Sequence, residues 1–318
     1  MFDEYLCRFR LMDVVTGAFG YIGRYIAKRL IETGREVRTI TTHPDKPNPF
    51  GEAVQAFAYS FDDRERLTET LAGAETLFNT YWIRFERDGQ TFDSALRNTR
   101  TLFECAREAG VKRIVHVSVT NPSPDSRLPY YRGKSKQERM LADVDVPHSI
   151  VRPTLVFGQE DILVNNMAWL IRRFPVFPIF GSGKFRVQPV FVEDLAKVIV
   201  EQAFATEAVT VDAIGPETVT FEEAVRWMAR AMGRKTRIVH VPPSVGLLAG
   251  RLIGLAVRDD ILTKDELAGL MQELLISQEP PNCSTRFSDW LSENKETIGR
   301  HYTSEMGRHF RWSPGDRV

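Results

Sequence analysis

The sequence has few cysteines and no pattern that would pair them. There are three, Cys7, Cys105 and Cys283, and none belongs to a CxxC motif. We therefore expect no disulfide framework, and we expect the chain to be located in a reducing compartment. We expect a cytoplasmic protein without a metal site.

An excess of one charge and a long apolar run are also missing. Lys plus Arg and Asp plus Glu each total 42, whereas nucleic-acid binders usually carry a basic excess, so no nucleic-acid partner is expected. The nearest approach to a membrane span, 245–257, is interrupted by Arg251, so no transmembrane helix is predicted. The N-terminus shows no apolar run with a small-residue cleavage site, and no signal peptide is expected.

What the chain does contain is enough apolar sequence for a core. Hydrophobic residues make up 43% and charged residues 26% of the 318 residues, which excludes long disorder. At about 150 residues per domain, two domains are expected. Residues 1–11 fit no element well, and Met12 directly precedes the first strand signal. This segment is either a start-site extension or loose arm, or it lengthens that strand.

Strand and helix signals alternate through the first half of the chain. The apolar runs at 11–15, 36–41, 54–58, 75–80, 113–118 and 148–152 are predicted as strands. Helical spacing or capping signals predict helices at 21–33, 63–72, 92–109 and 130–143. Six strands with helical crossovers imply an α/β fold with a doubly wound parallel sheet.

The second half is less regular. A helix is predicted over 192–205, followed by a strand over 209–214 that returns to the main sheet. Thr220 with Glu223 and Thr263 with Glu266 form capping-box signals before helices that reach Met232 and Leu275. A last helix is predicted over 288–301.

A glycine-rich turn, TGAFGYIG at 16–23, lies between the first strand and the first helix. Gly17 allows the tight turn, Gly20 lets the backbone approach a pyrophosphate, and Gly23 lets the helix pack close to the strand. Free N–H groups and the helix dipole then hold the phosphates. The strand–turn–helix context predicts a dinucleotide site rather than a structural turn alone.

The residues after the second strand bear on the choice between NADP and NAD. An acid there would accept the ribose hydroxyls of NAD, and this chain has Thr41, Thr42 and His43 instead. His43 and Lys46 are candidates for a 2′-phosphate, so NADP is favoured and NAD stays an alternative. The other interpretation of His43 and Lys46 is that both are solvated loop residues.

Tyr130 and Lys134 are spaced for one face of a predicted helix. A lysine ammonium near a tyrosine lowers the phenol pKa from about 10, which suits a general acid or base at a carbonyl. Ser118 ends the fifth strand, at the sheet edge where ligands of open α/β folds bind. Tyr131 is the ambiguous neighbour, but only Tyr130 has a lysine four residues later.

Together TGAFGYIG, RIVHVS at 113–118, YYRGK at 130–134 and RPTLVFG at 152–158 resemble the short-chain dehydrogenase/reductase superfamily. The resemblance is to its extended and atypical members, namely epimerase/dehydratase-like, NmrA-like and complex I accessory-subunit-like proteins. It covers nearly the whole chain from Met12. It implies a Rossmann-type NAD(P)-binding domain at 12–157, returning at 190–214. It also implies a smaller, mostly helical substrate domain at 158–189 and 215–318.

The resemblance also implies roles for individual residues. Tyr130 would be the acid/base, Lys134 would bind the nicotinamide ribose, Ser118 would orient the substrate carbonyl, and Asn98 would support a proton relay or, alternatively, only pack. The residues implied around the cofactor are Gly17, Phe19, Gly20, Tyr21, Ile22, Gly23, Thr42, His43, Ser60, Asn79, Thr80, Tyr130, Lys134, Pro153 and Thr154. Arg186 and Asn166 would face the substrate.

Some positions depart from the sugar-nucleotide enzymes. Leu155 stands where they carry an asparagine that meets the substrate phosphate, which weakens a UDP-sugar interpretation. Asn165 and Asn166 would replace that contact or lie at a helix start. The apolar segment 174–180 would line a substrate pocket or, as the simpler expectation, pack as core.

The leading functional hypothesis is an NAD(P)-dependent oxidoreductase or epimerase/dehydratase-type enzyme acting on a small molecule. The alternative is a non-catalytic NAD(P)-binding regulator or accessory subunit. A weaker hypothesis places a membrane or quinone contact at 243–257, where a buried helix or dimer contact is the simpler explanation. Relatives are often dimers, so the resemblance suggests a homodimer.

Overall fold

The computed structural model describes residues 11–246, 254, 259, 263–304 and 307. These divide into two compact units. The first comprises the described residues up to Ser118, with Gly133–Val151 and Ala196–Val211. The second comprises Val119–Arg132, Arg152–Leu195 and the described residues from Asp212 onward. The predicted N-terminal arm, apart from Leu11, and most of 243–257 lie outside the described residues.

The described residues form the following strands and helices. The strands are β1 Met12–Thr16, β2 Glu36–Thr41, β3 Val54–Ala58, β4 Ala74–Asn79, β5 Arg113–Val117, β6 His148–Pro153, β7 Leu155–Phe157, β8 Val176–Phe180, β9 Arg186–Val187, β10 Pro189–Phe191, β11 Val209–Ala213, β12 Val219–Thr220 and β13 Arg237–Val241. The α-helices are α1 Tyr21–Glu32, α2 Arg64–Leu71, α3 Phe92–Glu108, α4 Pro129–Ala142, α5 Ile162–Arg173, α6 Val192–Glu201, α7 Phe221–Ala231, α8 Lys264–Met271 and α9 Phe287–Glu293. Short 3₁₀ turns occur at Gly51–Ala53 and Gln202–Phe204.

The main sheet has seven strands in the order β11-β6-β5-β4-β1-β2-β3. The pairings from β3 through β6 are parallel. The chain runs outward from β1 to β3, crosses back to β4 beside β1, and then runs outward to β6. The predicted doubly wound sheet is confirmed, and so is the return of the 209–214 segment as the edge strand β11. Ligands of such sheets bind at the carboxyl ends of the strands, where the strand order reverses between β1 and β4.

The interior of the first unit is apolar because both faces of the central strands are covered by helices. Val14, Ile40, Leu77 and Ile114 are fully buried in one cluster with residues of α2 and α3. Asp13 on β1 is a buried exception. It accepts hydrogen bonds from the Arg35 guanidinium and from the Thr76 N–H at 3.1 Å. Burial nevertheless raises the pKa of Asp13.

The second unit has its own core and more β structure than the sequence indicated. Phe157, Met167, Phe221 and Trp290 belong to its buried cluster. Three two-stranded sheets, β7 with β10, β9 with β12 and β8 with β13, accompany the helices. In the 174–180 segment Phe177 and Ile179 are buried whereas Phe174 and Val176 are exposed. Among the described residues, no helix combines the length and apolarity needed to cross a membrane.

Gly23 offers a direct test of the close contact between α1 and the glycine turn. A Cβ at Gly23 would lie 2.3 Å from the Gly17 carbonyl oxygen and 2.7 Å from its carbonyl carbon. We expect Gly23→Ala to lower the free energy of unfolding by roughly 1–3 kcal/mol or more, because backbone atoms must move. Urea denaturation measures this change. The control is Gly34→Ala, since a Cβ there has nothing within 4 Å and only its φ of +80° opposes the substitution. Equal losses in both variants would contradict the contact argument.

Candidate dinucleotide and acid–base site

The glycine turn leaves the start of α1 open to an anion. Gly17 has a φ of +68°, which favours glycine. Its N–H donates to the Ile40 carbonyl at 2.9 Å, and the Gly20 N–H donates to the Gly17 carbonyl at 2.8 Å. Gly20 is the N-cap of α1, and neither a capping side chain nor an acid occupies the first turn. The first N–H groups of α1 and the positive end of the helix dipole therefore suit a pyrophosphate.

The remaining residues of the turn fit the same group. A Cβ at Gly20 would lie 3.1 Å from the Gly17 oxygen, a tight contact that would press a side chain against the turn. Phe19 is 3% exposed, and its ring therefore packs inside the unit, leaving the backbone to line the turn. Tyr21 and Ile22 are half-buried in the first turn of α1. The predicted phosphate-binding residues thus form one continuous structural element.

The residues predicted around the adenosine and ribose follow neighbouring strands. After β2, Thr42 is exposed, His43 is half-buried and Lys46 is largely buried. Ser60 follows β3, and its buried Oγ has no hydrogen-bond partner among the described residues. A buried hydroxyl without a partner is costly in a folded protein, so Ser60 is suited to bind a polar group of a ligand.

Asn79 and Thr80, at the end of β4, already have partners within the protein. The Asn79 amide nitrogen lies 2.9 Å from His116 Nδ1, and its Oδ1 accepts from the Tyr81 N–H at 3.0 Å. Thr80 Oγ1 donates to the Thr16 carbonyl at 2.5 Å. Burial lowers the pKa of His116 well below its usual value, and the Lys134 charge lowers it further. The His116 side chain that contacts Asn79 is therefore neutral.

Lys134 is a buried cation on α4. Its side chain is anchored to the end of β5, because Nζ donates to the Val117 carbonyl at 2.8 Å. Nζ also lies 5.4 Å from the centroid of the Trp82 ring. Burial lowers the pKa of Lys134 to about 7, and the Glu138 carboxylate partly opposes that shift. Lys134 therefore changes charge near neutral pH, and the Glu138 carboxylate favours its charged form.

Ser118, which follows β5, is bound by a residue that the sequence reasoning missed. Its Oγ donates to Glu138 Oε1 at 2.5 Å, which leaves the Ser118 lone pairs available as acceptors. Glu138 lies four residues after Lys134 on α4 and hence on the same helix face. That spacing is visible in the sequence and is the signal by which Glu138 could have been found.

Tyr130 lies in the first turn of α4, four residues before Lys134. It is half-buried. Its neighbour Tyr131 is 7% exposed and belongs to an apolar cluster with Val119 and Leu128. Burial raises the pKa of Tyr131, the opposite of what proton transfer near neutral pH requires. The structure thus separates the two tyrosines by environment and leaves Tyr130 as the candidate acid/base.

Asn98 lies on α3, where its amide Nδ2 donates to the Tyr81 hydroxyl at 2.9 Å. This contact matches the packing alternative for Asn98, and its relay role stays a prediction. Next to it, Gln137 Nε2 donates to Thr99 Oγ1 at 2.7 Å. The Gln137–Thr99 contact joins α4 to α3, whereas the Asn98 contact joins α3 to the segment after β4.

The predicted residues of the second unit make internal contacts. Arg186 forms a two-pronged ion pair with Glu273, with Nη2 2.6 Å from Oε2. Asn166, on α5, exchanges hydrogen bonds with the Thr303 backbone at 2.9 Å. Pro153 ends β6, and the Thr154 N–H donates to the Ala213 carbonyl at 3.1 Å. Their cofactor and substrate roles stay predictions. The described residues bring no group of three metal-ligating side chains together.

Comparison with known proteins gives the class to which this fold and glycine turn belong. The model of the NAD dependent epimerase/dehydratase family matches residues 14–210. The chain therefore belongs to this family of NAD(P)-dependent proteins, and the family predicted from the sequence motifs is confirmed.

The relatives include both a subunit of a larger enzyme and a reductase. The chain is 26% identical over 243 residues to the mitochondrial NADH dehydrogenase [ubiquinone] 1 alpha subcomplex subunit 9 of Arabidopsis thaliana. That match covers 73% of this chain and 60% of the relative. It is 28% identical over 246 residues to the ceramide reductase of Caulobacter vibrioides, covering 75% of this chain and 76% of the relative. In structure it resembles the NADPH-dependent quinone oxidoreductase QOR2 of Escherichia coli, with a TM-score of 0.69, 21% identity, and coverage of 90% and 99% of the two chains.

Proposed function

We propose that this protein is a catalytically active, NADP(H)-preferring oxidoreductase that reduces a carbonyl group of a small molecule. The observation that carries the proposal is the face of α4. Tyr130, Lys134 and Glu138 follow one another along it at one-turn intervals. At the carboxyl end of β5, Lys134 donates a hydrogen bond to the Val117 carbonyl. Glu138 accepts one from the Ser118 hydroxyl.

Each residue of this face has a chemical task. The bound nicotinamide supplies the hydride. Tyr130 donates the proton that the carbonyl oxygen needs as it becomes a hydroxyl, and solvent returns a proton to the phenolate. A charged Lys134 favours that phenolate. To orient the carbonyl, the Ser118 hydroxyl turns away from Glu138 and donates to the carbonyl oxygen. Glu138 stabilises the Lys134 charge.

The cofactor preference is proposed from the end of β2. Residues 41–43 include no acid to repel a 2′-phosphate. Thr42 is exposed and His43 is half-buried, so both are better placed for that contact than the largely buried Lys46.

A thermal-stability comparison with NADPH, NADP, NADH and NAD tests both binding and preference. A ligand at about 100 times its Kd stabilises the folded state by roughly 2.7 kcal/mol. We expect the larger shifts from the two phosphorylated cofactors, and a smaller difference in His43→Ala. No shift with any of the four would contradict the dinucleotide site, and a larger shift with NADH than with NADPH would contradict the preference.

The substrate class follows from Leu155. It replaces the asparagine of the sugar-nucleotide enzymes, and a leucine side chain offers a phosphate no hydrogen bond. The match to a ceramide reductase and the structural similarity to a quinone reductase support a carbonyl or quinone substrate. Epimerase or dehydratase chemistry is the alternative for the same acid–base face.

A non-catalytic role is the second candidate function, because the relatives include a subunit of an NADH dehydrogenase. It predicts cofactor that binds but is never oxidised or reduced against carbonyl, quinone and sugar-nucleotide panels. The cytoplasmic location and the homodimer expected from the sequence also stay proposals. Size-exclusion chromatography with light scattering tests the homodimer.

A further inference from the structure

The second unit has a surface cavity whose lining is strongly basic. Its volume is about 370 Å³, and it lies where α7 ends and β13 begins. The charged residues that line it are Arg226, Arg230, Arg234, Lys235 and Arg237, and no acid of the described part of the chain lines it. The glycine turn belongs to the first unit, and none of its residues lines this cavity.

Most of this charge has no acidic partner among the described residues. Arg226 is paired with Glu222, with Nη2 2.6 Å from Oε1. The other four, Arg230, Arg234, Lys235 and Arg237, form no ion pair with any acid that the structure describes, and all four are exposed. The chain as a whole has equal numbers of acidic and basic residues. Four unpaired cations within eight residues are therefore a local concentration of charge.

Hydrogen bonds fix the backbone from which these cations extend. Gly233, with a φ of +65°, ends α7, and the Arg234 N–H donates to the Ala229 carbonyl at 2.8 Å. The Arg237 N–H donates to the Pro175 carbonyl at 2.8 Å, which starts the pairing of β13 with β8. The main chain that carries Arg234 and Arg237 is thus fixed before a ligand binds, and binding orders only the side chains.

The surroundings increase the positive potential and add apolar surface. Arg172 lies near Arg234. Burial lowers the pKa of Arg172, and the Arg234 and Arg300 charges lower it further. Phe174 and Val176 are 48% and 43% exposed, and Val176 is the register partner of Arg237. Exposed apolar side chains beside unpaired cations complement a group that is anionic at one end.

We propose that this cavity binds a phosphate-bearing ligand. Arginine presents parallel N–H donors that match phosphate oxygens, and several cations together suit a dianion better than a single carboxylate. The phosphate belongs either to a soluble phosphorylated compound or to the headgroup of an anionic phospholipid whose acyl chains meet Phe174 and Val176.

The test compares two triple variants of the full-length protein with the wild type. R230Q/R234Q/K235Q removes three charges from the cavity. R97Q/R100Q/R107Q removes three exposed arginines from α3 and is the matched control. Inorganic pyrophosphate is titrated calorimetrically at low salt. Flotation with phosphatidylcholine vesicles, with and without phosphatidylglycerol, tests the lipid source.

We expect the cavity variant to bind about a hundredfold more weakly than the wild type, and the control variant to bind as the wild type does. Pyrophosphate binding that the cavity variant loses identifies a soluble ligand, and vesicle binding alone that it loses identifies a lipid. Either result supports the proposal. No binding of either probe, or equal binding by both variants, overturns it. Because the glycine turn is unchanged in both variants, the outcome is independent of the cofactor and of turnover.

Discussion

Replacing Tyr130 by phenylalanine is expected to abolish turnover while leaving cofactor affinity nearly unchanged. The substitution removes only the hydroxyl, so the ring packing on α4 stays. Loss of a general acid typically lowers a rate by about 10²–10⁴-fold. Oxidation of NADPH against a panel of aldehydes, ketones and quinones measures the rate. Fluorescence titration with NADPH measures the affinity.

Tyr131→Phe is the matched control for that experiment. Tyr131 is the next residue on the same helix, and its ring is buried with Val119 and Leu128. We expect this variant to keep at least most of the wild-type rate. Full activity in Tyr130→Phe, or an equally severe loss in both variants, would remove Tyr130 from its proposed role.

Lys134→Met is expected to reduce turnover strongly and yet stabilise the folded protein at neutral and mildly acidic pH. Burial lowers the pKa of Lys134 from 10.5 to about 7 in the folded state. Between these values the unfolded chain binds more protons, so the free energy of unfolding of the wild type rises with pH across this window. Below about pH 7 the folded wild type carries a charged, buried Lys134, and its free energy of unfolding is lowered by the full cost of burying that charge. Methionine removes that cost, which amounts to a few kcal/mol.

Denaturant titrations at about pH 6 and about pH 10 measure this difference, since the two values lie below and near the top of the window. The variant should be more stable than the wild type at the lower pH, and the gap should close at the higher pH. Lys136→Met, at an exposed lysine on the same helix, should show no such dependence. Stability curves for wild type and Lys134→Met that run parallel across this range would contradict the buried charge.

The parts of the fold that sequence reasoning found are those with local signals. β2 and β3 have the predicted bounds, because an apolar run between polar turns needs no knowledge of its partner. The capping box of Thr220 with Glu223 is also local, and both of its hydrogen bonds are present. The glycine turn and the spacing of Tyr130 and Lys134 were predicted for the same reason.

The missed strands depend on distant pairing. β13 pairs with β8, from about sixty residues earlier in the chain, and β9 and β12 have two residues each. Such segments show no period of their own, because their partner supplies the hydrogen bonds. The predicted last helix over 288–301 was too long, since α9 ends at Glu293 and turns follow it.

Partners of site residues are harder to predict than the residues themselves. Arg186 was predicted from a motif, but its ion pair with Glu273 depends on where α8 ends. Ser118 was placed at a strand end, but its bond to Glu138 requires the register of α4 against β5. A sequence identifies which groups carry chemistry, whereas tertiary packing decides what those groups touch.

The position of β11 has a consequence for synthesis on the ribosome. β11 is an edge strand beside β6, yet roughly 55 residues separate the end of β6 from its start. Synthesis proceeds at about 5–20 residues per second, so β11 is made roughly 3–11 s after β6. During that interval the unpaired N–H and C=O groups of β6 are open to pairing with another nascent chain. Chaperone demand should therefore peak before residue 213 emerges and fall once the edge is covered.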